Sequence, residues 1–373
     1  MIRFFALIAA GVFLAINLYA GGQSNASHDQ EEKDFNVNEL IMHHIKDAHE
    51  WHILDYKKSD GTIKSFSIPL PIIVYYKGQL DVFLSSEFEH GHKIVTKGNN
   101  SYILHHEKIY IADPESENGL RIEEKENEHV ILNEKPLDFS ITKNVLAMFI
   151  VAILMILIFT KVARSYQKNP GRPHGLQAFL EPLIVFIRDD IAYPNLGSKA
   201  NRFLPYLLTV FFFILINNLL GIVPFFPGGA NVTGNIAVTM TLATFTFLAI
   251  NLNGNKHYWQ HNFWMPGVPV FVRPILAVVE IMGMFVKPIA LTIRLFANIT
   301  AGHIIILSLV SLIFIFKSLT ISPVSVIFVL FMNCMELLVA FLQAYIFTIL
   351  SALFIGIAVE DHEHHESHEH VSH

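Results

Sequence analysis

The sequence predicts an all-α polytopic membrane protein with tilted long helices, preceded by a small exported β-rich or α+β domain. Three observations point there. After residue 140 the chain is dominated by apolar runs of roughly 18 residues or more, the length that crosses ~30 Å of hydrocarbon. Before that point it is polar, with β-branched stretches broken by Gly and Pro. Across all 373 residues, 52% are hydrophobic and 16% charged, whereas soluble domains average about 25% charged.

Residues 1–22 read as a signal peptide. Arg3 supplies a short positive start, residues 4–18 an apolar core, and Ala20-Gly21-Gly22 a small-residue cleavage site. The apolar run is short for an anchor, and a polar stretch follows at once. Residues 23–140 then form the exported soluble domain. Strands are expected over 63–84, interrupted at Pro69 and Pro71, and over 101–112, with Gly61, Gly78, Gly98 and Gly119 as turn points. His43, His44, His49 and His52 lie near a possible helix; the five-residue step from His44 to His49 does not suit a metal, so they read as surface histidines. The single cysteine, Cys334, gives neither a disulfide framework nor a metal cluster. With a net charge of -6 and no basic stripe, P-loop or dinucleotide fingerprint, neither nucleic acid nor a cofactor is expected.

The transmembrane part is expected over 141–359. Spans fall at 144–162, at 203–223 before Pro224 and Pro227, and at 235–252. Two longer apolar stretches, 270–316 and 324–359, must tilt or kink, with Pro274 and Pro288 as candidate kinks. Residues 176–191 carry Glu181, Arg188, Asp189 and Asp190 among apolar residues at helical spacing, as in an amphipathic helix on the inner surface. Tyr258, Trp259 and Trp264 beside Lys256 mark an interface. Lys161, Arg164, Lys168 and Arg172 place the end of the first span in the cytoplasm and residues 23–140 outside. An odd number of crossings then leaves the tail, 360–373, acidic and rich in histidine, as a solvated cytoplasmic segment. The expected location is the cell inner (plasma) membrane.

Ionisable groups deep in hydrocarbon cost at least ~2.5–3.5 kcal/mol each and mark function by default. The last two stretches hold Glu280, Lys287, Arg294, His303 and Glu336, with polar Asn298 and Gln343. Lys287 has a bland reading as a snorkelling lysine, and His303 with Glu336 as a buried pair that only pins two helices. Glu280, Lys287 and Arg294 are seven apart and share a face of an unbroken helix, which Asn298 joins; Glu336 and Gln343 share a face of the last helix. In antiparallel neighbours, facing residues have a constant index sum. The sums for Arg294 with Gln343 and for His303 with Glu336 differ by only two. At ~1.5 Å per residue the two pairs match in height, so Arg294 is expected to meet Gln343 and His303 to meet Glu336. His303 is nine residues from Arg294, half a turn round the helix, so the two face different surroundings.

These residues carry a resemblance to subunit a of the F-type ATP synthase. Lys287-Pro288-Ile289-Ala290-Leu291-Thr292-Ile293-Arg294-Leu295-Phe296-Ala297-Asn298, followed by Ala301-Gly302-His303, looks like the family's R-L-F-x-N-x-x-A-G signature. Residues 336–343, with Ala344-Tyr345-Ile346-Phe347 after them, resemble its last-helix motif, and Asn217-Asn218-Leu219-Leu220-Gly221-Ile222-Val223-Pro224 and residues from Asn235 onward resemble two earlier helices. The resemblance covers about 137–360. Many bacterial members carry a carboxylate where His303 stands and a histidine where Glu336 stands; here the pair looks exchanged, as in mitochondrial members. Gly221 and Gly234 fall where other members often have acidic residues, and the exported domain is longer than usual.

The resemblance implies a non-catalytic, proton-translocating subunit beside a rotating ring of subunit c. Arg294 would face the ring carboxylate, Gln343 and Asn298 would orient Arg294, His303 and Glu336 would relay protons in the outer half-channel, and Glu280 would serve the inner exit. The implied partners are the subunit c ring, the peripheral stalk subunit b, other ATP synthase subunits and the lipid bilayer. A sodium-coupled version of the same subunit is the alternative within this reading. A secondary ion transporter is the alternative outside it, though no internal repeat is visible. An intramembrane hydrolase would need a nucleophile–base pair or a metal motif such as H-E-x-x-H, and the apolar runs hold neither.

Overall fold

The computed structural model describes residues 47–57, 63–91, 93–114, 116, 119–125, 128–168, 173–223, 228–265, 267–316 and 322–360. The signal reading of 1–22, the histidines His43 and His44, and the histidine tail from 361 onward lie outside the described residues.

Two three-stranded antiparallel sheets form the heart of the N-terminal domain. Their strands are β1 (Glu50–Lys57), β2 (Ile63–Pro69), β3 (Pro71–Tyr76), β4 (Gln79–Leu84), β5 (Val95–Lys97), β6 (Asn100–His105), β7 (Lys108–Ile111), β8 (Ile122–Lys125), β9 (Glu128–Ile131) and β10 (Leu137–Asp138). One sheet has the order β10-β3-β4, the other β5-β6-β7, while β1-β2 and β8-β9 are separate hairpins. Between β3 and β4 a two-residue turn places Lys77 and Gly78 at positive φ, the backbone that matches strand twist in a tight hairpin. Burial alternates along both strands, and Ile72, Val74, Phe83, Phe88, Val95, Tyr102 and Ile109 form the core. Tyr102 donates its hydroxyl to Asp81 Oδ2 at 2.7 Å; burial, reinforced by that carboxylate, pushes the phenol up to about 12.

The histidine reading needs correction here. Glu50–Lys57, which contains His52, is a strand rather than part of a helix, and His49 is buried rather than on the surface. Its Nε2 lies 3.1 Å from Asp138 Oδ2, joining the start of the domain to its last strand. Burial would raise the Asp138 carboxyl, but hydrogen bonds from His49 and Ser140 outweigh it and hold the group below its usual value.

The helices are α1 (Lys143–Lys168), α2 (Leu176–Phe186), α3 (Tyr193–Leu196), α4 (Ala200–Ile222), α5 (Ile236–Asn253), α6 (Lys256–Phe263), α7 (Arg273–Phe316) and α8 (Ser322–Val359). Among the described residues, five stretches are long and apolar enough to cross a membrane. The start of α1 is capped from far away in sequence. Asp47 accepts from Thr142 Oγ1 at 2.8 Å and from the Asn144 N–H at 3.0 Å, and Ala48 accepts the Lys143 N–H at 2.9 Å. These bonds satisfy amides that a helix start leaves open.

Helix α2 is not separate from the bundle. It continues through a π-helical turn at Ile187–Ala192 towards α3 and α4. Leu180, Ile187, Ile191 and Ala192 are buried in the same cluster as Leu207, Phe211 and Ile214, because the apolar spacing that suggested a surface helix forms an inward stripe. Pro274 sits in the first turn of α7, where no intrahelical N–H bond is lost, so it starts the helix instead of kinking it. Pro288 lies inside α7, and the helix continues through it. At ~1.5 Å per residue, the 44 residues of α7 far exceed one perpendicular crossing.

The chain divides into two compact units. One comprises Met1–Ile150, Leu220–Val232 and Ile304–Met332; the other comprises Val151–Leu219, Thr233–His303 and Asn333–His373.

Candidate functional site

All six candidate residues belong to the second unit. On α7 an inward stripe runs at four-residue steps through Leu291, Leu295 and Ile299, each buried, and reaches His303. Arg294 precedes Leu295 by one residue, about 100° round the helix. It is therefore exposed, as are Ile293, Ala297 and Asn298 beside it. Its guanidinium forms no hydrogen bond or ion pair among the described residues.

His303 faces α8 instead. Its Nδ1 lies 2.6 Å from Glu336 Oε1, with the histidine side chain 19% exposed and the glutamate 6%. The approach is an ion-pair distance and not an aligned hydrogen bond, and neither atom has a hydrogen-bond partner among the described residues. Gly302 makes room for the carboxylate: a Cβ there would sit 3.2 Å from Glu336 Oε1. The index-sum expectation for His303 and Glu336 is thus met.

The corresponding expectation for Arg294 and Gln343 is not. Gln343 is 2% exposed, on the α8 face that also buries Glu336, Ala340, Ala344 and Phe347. The index sum concerns height and does not fix rotation, and the buried Leu291–Leu295–Ile299 stripe leaves Arg294 exposed. Asn298 stays with Arg294 on the exposed side. Lys287 is half-buried, with Nζ 5.2 Å from the centroid of the Phe354 ring, a cation–π contact between α7 and α8. Glu280 is half-buried and within electrostatic reach of Tyr258. Burial raises the Tyr258 phenol, and the Glu280 carboxylate adds to the rise.

The structure adds residues that spacing did not single out. Asn218 accepts from Thr233 Oγ1 at 2.6 Å and donates to the Ala340 carbonyl at 3.2 Å, one turn along α8 from Glu336. The signal for it was two adjacent amides, Asn217 and Asn218, in an otherwise apolar run. Asn217 Oδ1 and Thr300 Oγ1 are buried without a hydrogen-bond partner among the described residues. Gly302 was legible only as a small residue next to His303. Chemically, the arrangement offers one titratable imidazole–carboxylate pair inside the helices and one permanent cation outside them.

Known proteins match on both parts of the chain. The family described as ATP synthase A chain matches residues 145–356, and a family described only as a domain of unknown function (DUF8433) matches residues 40–139. A protein named ATP synthase subunit a from Chloroherpeton thalassium is 49% identical over 242 residues, covering 63% of this chain and 71% of the relative. One named ATP synthase subunit a 2 from Chlorobaculum tepidum is 49% identical over 240 residues, covering 62% and 67%. An ATP synthase subunit a from Anaeromyxobacter sp. is 46% identical over 241 residues, covering 62% and 57%.

Proposed function

The chain belongs to the ATP synthase A chain family, and from that membership we propose that it is the stator subunit of the Fo sector, forming two proton half-channels against a rotating ring of subunit c. It is a multi-pass membrane protein, non-catalytic by itself, that associates with the other ATP synthase subunits. It also contacts the peripheral stalk subunit b. Residues 1–22 serve as an export signal, 23–140 lie outside the cell inner membrane, 141–359 span it, and 360–373 lie in the cytoplasm.

The observation that carries this reading is Arg294, which is exposed on an apolar helix and has no partner among the described residues. Arginine stays charged in proteins, and an unpaired charge facing lipid is costly. Its partner therefore comes from another chain, and the ring carboxylate suits it. A fixed cation favours the ionised acid, so the ring site releases its proton as it passes. The same charge repels a proton hopping directly between the two half-channels. The outward turn of Arg294, away from Gln343, supports this placement, with Asn298 beside it to orient the guanidinium. Gln343 then acts from the α8 side when the ring is in place.

His303 and Glu336 relay protons in the outer half-channel. An imidazole titrates near neutrality, and its contact with a carboxylate offers a proton two adjacent resting places. This pair favours protons over sodium, which takes hard oxygen donors rather than imidazole. The unpartnered Asn217 Oδ1 and Thr300 Oγ1 are polar groups suited to a hydrated path. Glu280, half-buried near Tyr258, serves the inner exit.

Cross-linking tests the placement of Arg294. Ala297→Cys, on the exposed face beside Arg294, is introduced with Cys334 replaced, and single cysteines are placed along the ring subunit of the whole complex. A cross-link near the ring carboxylate supports the reading. Reaction of Ala297→Cys with lipid-borne reagents alone, with no ring cross-link at any position, contradicts it.

A further inference from the structure

The outer face of the β10-β3-β4 sheet is apolar in every row. Leu137, Tyr75 and Leu80 lie side by side across the three strands. In the next row Phe139, whose N–H bonds the Ile73 carbonyl, adjoins Ile73 and Val82; in the last, Ile141, bonded to the Pro71 carbonyl, adjoins Pro71 and Leu84. Alternation sends Ile72, Val74 and Phe83 into the core and leaves these side chains outside. Leu80, Val82, Leu137 and Phe139 are 60–64% exposed. A soluble domain seldom shows so ordered an apolar face without something to cover it.

The chain itself indicates the cover. Ile141 stands two residues before Lys143, where α1 begins, and α1 exposes Phe149, Ile153, Ile156 and Leu157. Along the chain, the apolar sheet face therefore leads, within one compact unit, to exposed Phe149 at the start of the first span. The domain cannot swing freely from that point, because Asp47 and Ala48 hold the first amides of α1. It also belongs to one compact unit with Leu220–Val232 and Ile304–Met332, which include the C-terminal ends of α4 and α7 and the N-terminal part of α8. By helix direction, these lie at the same membrane side as the start of α1. Tyr75 adds an amphipathic aromatic ring of the kind that settles at head-group level.

We propose that the outer face of the β10-β3-β4 sheet rests on the lipid bilayer, inserting its apolar side chains at head-group depth beside α1. The exported domain is then a foot at the start of the first span. This inference rests on α1 crossing a bilayer and is independent of the proton path.

The test uses the full chain in lipid nanodiscs, with Cys334 replaced and single cysteines carrying an environment-sensitive fluorophore. Val82→Cys and Leu84→Cys report the sheet face, Ile153→Cys the span, and exposed Glu123→Cys on β8 the opposite case. Lipids spin-labelled near the head group should quench Val82→Cys and Leu84→Cys about twofold or more above Glu123→Cys, with blue-shifted emission, as for a surface buried ~5–10 Å into the interface. Quenching at Val82 and Leu84 no greater than at Glu123, while Ile153→Cys is quenched, overturns the proposal and leaves the span intact. Shielding of Val82 and Leu84 from lipid and water quenchers alike also overturns it, since a second protein surface then covers the sheet. Absence of quenching at Ile153→Cys removes the span on which the proposal rests.

Discussion

His303 and Glu336 stand on different helices and meet with Nδ1 2.6 Å from Oε1, inside a chain segment that carries few other ionisable groups. A buried ion pair is weak evidence for stability, because desolvation offsets much of the attraction. A pair kept only to pin α7 against α8 would be replaceable by apolar residues of similar volume. A pair that moves protons would not. Gly302 leaves the room that the carboxylate occupies, which a side chain there would narrow.

Exchanging the two residues separates these roles. His303→Ala and Glu336→Ala should each slow ATP-driven acidification of membrane vesicles, and the double variant should be little slower than the worse single one, as expected for members of one network. The swap His303→Glu with Glu336→His restores an imidazole–carboxylate contact and should recover more flux than either single exchange. Strictly additive losses with no recovery would mean that the residues act separately.

Gly302 gives a subtler handle. The added methyl of Gly302→Ala would stand 3.2 Å from Glu336 Oε1, so the carboxylate must yield by a few tenths of an ångström. Flux should fall roughly a few-fold, given that misplacement by ~1 Å can cost about 100-fold. Gly302→Val should cost more. Wild-type acidification rates in both variants would show that the carboxylate position is not critical.

In the exported domain, the Asp138 carboxyl is held below its usual value by His49 and Ser140, against the effect of burial. A depressed folded value means that the group stabilises the fold fully above the ordinary carboxylate range, and that this contribution is lost as pH falls through the folded value. Asp138→Asn should lower domain stability by about 1–3 kcal/mol at neutral pH, the cost of leaving His49 buried without its charged partner. It should also flatten the acid-dependent part of the profile. Limited proteolysis of the full-length protein, from neutral pH to below the carboxylate range, reads both. Equal acid sensitivity in variant and wild type would assign the acid response to other groups.

Much of this is legible in the sequence. Apolar run length located the five long stretches, and Pro with Gly located the strand breaks at Pro69–Pro71 and the turn at Gly78. The constant index sum of antiparallel helices brought His303 to Glu336. The same sum failed for Arg294 and Gln343 because it fixes height and not rotation, and rotation was set by Leu291, Leu295 and Ile299. His49 was misread for a related reason: its partner Asp138 is eighty-nine residues away, and no local pattern announces a pairing across a whole domain. The apolar stripe of α2 was visible, but whether it meets lipid or other helices depends on Leu207, Phe211 and Ile214, which are distant in sequence.

Arg294→Ala tests the central claim most directly. The assembled complex carrying this substitution is placed in vesicles, and ATP-driven proton pumping is measured beside subunit content. The account predicts a complex of normal composition with no measurable pumping, because no permanent cation then discharges the ring site or separates the half-channels. Normal pumping by the assembled Arg294→Ala complex would contradict it.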